Sequence, residues 1–208
     1  MSDRWIPLHV ADCDPDPFVQ FRKWFDEAEP EMNEREAVAL VTSTLDGQPS
    51  ARMVLLRHVG RDSFGWFTNF ESRKGHDLRA NHHAALLWYC EPLGRQIRVE
   101  GTVTKMGASK SDAYFKSRAR GHQIGAHASR QSEPLASRQV IEERVRELEV
   151  KFEGVDVPRP KNWGGYLLHP TFFEFWQHRD DRLHDRVFYT HEHHATHLDV
   201  WNRERRSP

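Results

Sequence analysis

Apolar positions along the chain change period several times, and each change marks an element. Phe18, Phe21, Trp24, Phe25 and Ala28 recur at helical spacing behind Asp16, an N-cap, and Pro17, a first-turn proline. The pattern predicts an amphipathic helix that Pro30 closes. From Ala37 the period becomes that of strands. "AVALVTST" and "SARMVLLRH" are joined by "LDGQ", a hairpin signal in which Gly47 is free to take positive φ. "FGWFTN", "AALLWY" and a long "RQIRVEGTVTKM" follow, and "GGYLLH", "FFEFWQ", "RVFYT" and "HLDVW" close the chain. Three helical segments interrupt them: "SRKGHDLRANH" with Ser72 as N-cap, "SDAYFKSRARG", and "SRQVIEERVRELEVKFEG". In the last, Val140, Ile141, Val145, Leu148 and Phe152 approximate an apolar stripe. Antiparallel strands on short turns around an aromatic core predict an α+β fold, an antiparallel β-barrel with flanking helices. No repeat or compositional break divides residues 1–208, which read as one domain. Residues 1–15 are expected to be a flexible N-terminal segment, and 163–208 the strands that complete the barrel and the site.

Composition narrows the function classes. The 30 basic and 31 acidic side chains nearly cancel. That balance argues against nucleic acid as a partner and leaves a small anion held in a local basic pocket. Cys13 and Cys90 are too few for a disulfide scaffold and point to a reducing, cytoplasmic setting. No apolar run approaches the roughly 18 residues that span a bilayer, and "MSDRWIPLH" lacks a signal-peptide core, so no membrane partner is expected.

Candidate chemistry begins at "TNFESRKGHD". A strand ends, and a helix starts near Ser72 with Arg73 and Lys74 in its first turn, where the helix end is already electropositive. Two cations there fit either side chains pointing into water or a phosphate docked on the exposed N–H groups. Arg52 shifts the balance. It opens "RMVLLR", where Arg52 and Leu56 share one strand face and Met53, Leu55 and Arg57 the other, suiting a ligand with a flat apolar part and a phosphate tail. "RLHDR" raises a second question. At strand period, Arg182, His184 and Arg186 fall on one face, which fits a solvated hairpin edge or a site opposite an anion or aromatic ring. "HEHHATH" places His191, His193, His194 and His197 close together, but no cysteine or supporting motif accompanies them. The stretch reads as a solvated loop, and no metal is expected.

The segments "DPFVQFRKWFDEA", "RMVLLR", "FTN", "SRKG", "RQIRVEG", "YFKSRARGHQIGA", "SRQS", "WGGY", "EFWQ", "RLHDR" and a terminal Trp followed by Arg-x-x-Pro occur in this order from Asp16 to Pro208. In that collinear set the chain resembles the pyridoxamine 5′-phosphate oxidases. The resemblance implies an FMN-binding split barrel, a homodimer with FMN at the subunit interface, and oxidation of pyridoxamine or pyridoxine 5′-phosphate to pyridoxal 5′-phosphate by dioxygen, with release of hydrogen peroxide. It implies that Arg52, Met53, Val54, Leu55, Leu56, Arg57, Phe67, Thr68, Arg73, Lys74, Gln96, Trp176 and Arg186 contact FMN, with Gln131 and Ser132 reaching it across the dimer. Arg57, Tyr114, Arg118, His122, Arg182, Leu183 and His184 would bind the substrate, Arg182 and His184 acting over its ring. The chain departs from the family pattern where Arg57 replaces a frequent lysine, His122 a serine, and His178 a glycine. Its N-terminus also lacks a segment that folds over the substrate in some members. The competing readings are a related flavin oxidase of another ring substrate, as in phenazine pathways, and a non-catalytic flavin or pyridoxal phosphate carrier.

Overall fold

The computed structural model describes residues 5–192 and 200–208. Helix α1 (Pro17–Glu27) begins where the Asp16 carboxylate accepts from the Phe18 amide, and it stops three residues before Pro30. Its Phe18, Phe21, Trp24 and Phe25 are buried. They seat the helix on the sheet, with Phe21 4.6 Å from the Phe64 ring and Trp24 5.3 Å from Phe175.

The strands are β1 (Ala37–Ser43), β2 (Pro49–Leu55), β3 (His58–Val59), β4 (Phe64–Asn69), β5 (His83–Cys90), β6 (Arg95–Lys105), β7 (Trp163–Gln177), β8 (Asp185–Glu192) and β9 (Val200–Arg206). They pair antiparallel in the order β2-β1-β5-β6-β7-β4-β3, with β8 on β7 and β9 on β8. This is the expected split barrel, flanked by α2 (Arg73–Ala80), α3 (Ala108–Ser117), α4 (Arg120–Ala128) and α5 (Arg138–Lys151). Gly47, at φ +86°, turns the first hairpin as its sequence requires.

Several expectations change. "GGYLLH" and "FFEFWQ" are one strand, β7. Pro170 reads as a break, but it sits where the β6–β7 register shifts between Glu100 and Gly101, an irregularity at which a missing N–H is tolerated. The helix expected over "SDAYFKSRARG" divides, because Arg118 and Ala119 are extended and α4 starts at Arg120. Of "HLDVW", Val200 and Trp201 are in β9, and the first three residues lie outside the described residues. Helix α5 buries none of its own residues; of the stripe, Phe152 just past its end is buried in a second core cluster with Phe115, Ile124, Val157 and Trp163, and Val145 and Leu148 pack against it, while Val140 and Ile141 do not. The N-terminal segment is docked from Trp5 onward rather than loose. The Leu8 amide donates to Asp185 Oδ2 and the Trp5 indole to Asp180 Oδ1, while Leu8 and Cys13 join the main core. Of the histidine-rich stretch, His193, His194 and His197 lie outside the described residues; His191 packs on Trp201 at 4.9 Å.

Candidate active site

An open cavity of about 840 Å³ lies where β2, the β4–α2 junction, the α3–α4 break and the segment after α4 meet. Arg52, Met53, Val54, Leu55, Arg57, Phe67, Thr68, Arg73, Lys74, Tyr114, Arg118, His122, Gln131 and Ser132 all line it. Leu56 does not: it turns inward after β2 and is buried in the core. Along β2 exposure alternates, Ser50, Arg52 and Val54 being half-buried and Met53 and Leu55 exposed, and Leu56 lies just past its end.

Helix α2 builds the most electropositive corner. Ser72 caps it by accepting from the Gly75 amide. A Cβ at Gly75 would stand 2.1 Å from the Phe70 carbonyl oxygen, so only glycine lets the helix start so close to the strand end. The Lys74 ammonium is buried and donates to Thr68 Oγ1 (3.0 Å), Ser72 Oγ (3.1 Å) and Gln131 Oε1 (2.9 Å), all neutral. Desolvation, and then the neighbouring Arg52, push its pKa down to about 8. Arg52 is braced by Thr42 Oγ1 (2.7 Å) and Ser50 Oγ (2.7 Å), with Asp77 at 3.9 Å. Burial lowers its pKa as well, partly offset by Asp77. Asp77 is already engaged by the Thr42 hydroxyl at 2.6 Å. Thr42, Ser50 and Asp77 escaped the sequence reading. Once the hairpin register is fixed, Thr42 stands opposite Ser50 and diagonal to Arg52, which is the signal that would have found it.

A second group of cations faces the same cavity. Arg118 lies with its guanidinium 4.8 Å over Trp163, and its Nη1 is buried with no hydrogen-bond partner. Burial lowers its pKa. Among the described residues no carboxylate pairs with Arg57, Arg73, Lys74 or Arg118. Lys74 is buried and Arg118 half-buried with Nη1 enclosed, while Arg57 and Arg73 are exposed at the cavity rim. Enclosing a cation without counter-charge is unfavourable unless an anion completes the site. These residues therefore fit phosphate groups, and the parallel rings of Phe67 and Tyr114, 3.9 Å apart, give the cavity a flat apolar wall.

Gln131 and Ser132 stand at the start of α2 of their own chain. They were expected to reach FMN from the other subunit, yet Gln131 accepts from Lys74 and Ser132 Oγ from the Arg73 amide (3.2 Å) within one chain. The α4 end brings them back over α2. Ser132 and Arg182 are the non-glycine residues with positive φ (74° and 63°) among those described, and backbone strain of this kind gathers at functional sites.

Gln96, Trp176, Arg182, Leu183, His184 and Arg186 do not line this cavity. Gln96 pairs with Trp176, and Trp176 with Arg186. Phe67 pairs with Gly165, and Trp176 comes eleven residues later on β7, up to roughly 36 Å away at strand rise. "RLHDR" is not the continuous strand face its spacing suggested. Arg182 sits in the turn after β7 and is exposed, and only Asp185 and Arg186 enter β8. His184 Nδ1 accepts from the Arg179 amide at 3.1 Å, which puts the proton of the neutral ring on Nε2. Desolvation, and then His178, lower its pKa. His178, in the place of the expected glycine, lies between the rings of Trp5 (5.2 Å) and His184 (5.1 Å). Arg186 and Arg98 clamp the buried Glu174, at 2.6 and 2.8 Å.

Residues 25–152 match the family model described as pyridoxamine 5′-phosphate oxidase, and residues 163–208 the one described as pyridoxine 5′-phosphate oxidase C-terminal dimerisation region. A pyridoxine/pyridoxamine 5′-phosphate oxidase of Nostoc sp. is 48% identical over 184 residues, 88% of this chain and 86% of that protein. Among solved structures, PhzG from Burkholderia lata 383, in complex with tetrahydrophenazine-1-carboxylic acid, superposes with a TM-score of 0.89 at 29% identity, covering 100% of both chains. A pyridoxamine 5′-phosphate oxidase-related, FMN binding protein from Nostoc punctiforme shares the fold at TM-score 0.73 and 15% identity, over 92% of this chain and 98% of that one.

Proposed function

This chain belongs to the pyridoxamine 5′-phosphate oxidase family, and on that premise we propose that its cavity holds FMN and a substrate phosphate in a site that two subunits share. The protein is an FMN-dependent oxidase that converts pyridoxamine and/or pyridoxine 5′-phosphate to pyridoxal 5′-phosphate. It forms a homodimer through its C-terminal region. The observation that carries the site assignment is the buried ammonium of Lys74 with only neutral partners, together with the enclosed, unpartnered Nη1 of the half-buried Arg118.

Arg52, Arg73 and Lys74 hold the cofactor phosphate, helped by Ser132 and Gln131 at the α2 start. Phe67 and Thr68 border the flavin. Arg57, Tyr114, Arg118 and His122 hold the substrate phosphate. Bound FMN supplies the acceptor for a hydride equivalent from the substrate carbon bearing the amine or hydroxyl, and returns the electrons to dioxygen. Arg182 lies over the pyridine ring and keeps it parallel to the flavin. His184, neutral and protonated on Nε2, offers that N–H to the substrate ring side. Gln96 on β6, Trp176 at the far end of β7, Arg182, Leu183 and His184 in the turn and Arg186 on β8 lie outside their own cavity, so on this reading they serve the partner subunit's. The two buried free cysteines support a cytoplasmic setting.

Anaerobic addition of pyridoxamine 5′-phosphate to the yellow protein should bleach the flavin. Arg182→Ala and His184→Ala should stay yellow and bleach at least about a hundredfold more slowly, the low end of the scale for losing a positioned catalytic group. A yellow wild type that does not bleach would remove the oxidase assignment. The likeness to PhzG favours a second reading, a phenazine-type substrate; bleaching by a dihydrophenazine carboxylate but not by the phosphate ester would support it.

Sharing between subunits has its own test. At limiting FMN, an Arg52→Ala/Lys74→Ala chain and an Arg182→Ala chain are each expected to be strongly impaired alone. Mixed, they should regain activity, since each heterodimer contains one intact site. No recovery on mixing would place every residue of a site on one chain.

A further inference from the structure

Trp163 opens β7 and belongs to no role so far assigned. It is buried, and its backbone is fixed from two sides. Its amide donates to the Pro160 carbonyl at 3.1 Å, and its carbonyl accepts from Arg159 Nη1 at 2.5 Å, while Arg159 Nε reaches Asp112 on α3 at 2.6 Å. Its indole is almost parallel to Tyr114 (3°) and Phe67 (9°), and the Phe115 ring meets it edge-on at 5.1 Å. Over its face lies the Arg118 guanidinium, 4.8 Å from the ring centroid.

Arg118 has few other restraints. It sits at the α3–α4 break, its amide bonded to Phe115. No carboxylate pairs with it among the described residues, and its Nη1 is buried without a hydrogen-bond partner. A guanidinium with free donors on an aromatic face is held in plane by that face, with its N–H groups left for a ligand.

We propose that Trp163 is the positioning residue of the substrate-phosphate end: its indole sets the plane of Arg118 and, with Phe67, the tilt of Tyr114, so that both meet one phosphate. The inference deepens the proposed function and rests on Arg118 binding that phosphate. Trp163 acts through Arg118 and Tyr114 and takes no part in electron transfer.

Trp163→Leu should keep FMN and dimerise. Its KM for pyridoxamine 5′-phosphate should rise roughly tenfold, the scale of a desolvated cation–π contact, with kcat at saturation within about twofold of wild type. Product inhibition by pyridoxal 5′-phosphate should weaken in parallel, while inhibition by pyridoxal, which lacks the phosphate, stays unchanged. Trp163→Phe should fall between the two, and it decides the matter if the leucine variant fails to fold. An unchanged KM, or equal weakening toward both inhibitors, would overturn the positioning role. A wild-type enzyme inhibited equally by pyridoxal and its phosphate would instead overturn the phosphate assignment of Arg118, a failure visible before any variant is made.

Discussion

Glu174→Ala should destabilise the fold by about 3 kcal/mol, the low end of the range for removing one partner of a buried ion pair. Glu174 is 3% exposed on β7, and each oxygen faces an arginine: Arg186 Nε at 2.6 Å from Oε1, Arg98 Nη2 at 2.8 Å from Oε2. The alanine leaves two guanidinium groups side by side in a space shaped for a carboxylate. Their side chains are 33% and 28% exposed, so water relieves part of the repulsion, which is why the low end applies. Glu174→Gln keeps shape and one acceptor, and about 1–2 kcal/mol should be lost. Urea unfolding at one fixed protein concentration measures both, since a dimer's apparent stability depends on concentration. A loss below about 1 kcal/mol for the alanine variant would mean that the arginines find equivalent partners elsewhere.

Lys74→Ala should weaken FMN binding by about 1.5–3 kcal/mol, roughly 10- to 150-fold, the worth of hydrogen bonds to a charged group. Turnover should largely recover at saturating FMN. The effect carries a pH signature. Lys74 is pushed from the ordinary 10.5 down to about 8 by burial and Arg52. Between those values the unfolded chain holds the proton that the folded, flavin-free chain has lost. The strain of burying the cation is therefore fully present below about pH 8, and flavin-free stability gains as pH rises through that window. FMN acts in the opposite sense. Its phosphate favours the ammonium, so binding takes up a proton above pH 8, and affinity should fall there by up to about tenfold per pH unit. Lys74→Met should abolish that slope and stabilise the flavin-free protein. Titrations of FMN between pH 7 and 9.5 decide it; a wild-type affinity flat across that range would remove Lys74 from the phosphate site.

The elements were legible where local signals agree. Asp16-Pro17, "LDGQ" and Ser72 marked a helix start, a hairpin and a second helix start, and each is found in place. The sequence misled where long-range pairing overrides a local break. Pro170 hid the continuity of β7, and Gly121 and Gly125 hid α4 behind a weak helical pattern. Of the site, the cations could be named because their motifs are contiguous. What holds them could not: Thr42 reaches Arg52 across a hairpin, Gln131 reaches Lys74 over 57 positions, and Glu174 collects Arg98 and Arg186 from two neighbouring strands. "RLHDR" failed for a different reason. Period-two spacing describes a strand only where the chain is extended, and at Arg182 it turns through positive φ.

Strand β7 begins at Trp163 beneath one cavity and ends at Gln177 beside the turn proposed to serve the other. It is thus a ruler shared by two reaction centres, and its length becomes a heritable quantity under two constraints at once. One residue gained between Gly165 and Trp176 would invert every side chain beyond it. Two would restore the faces but advance the Arg182 turn by roughly 6.6 Å. On the proposed sharing of sites, the interval from Gly165 to Trp176 is therefore expected to be fixed in number even where its residues can change.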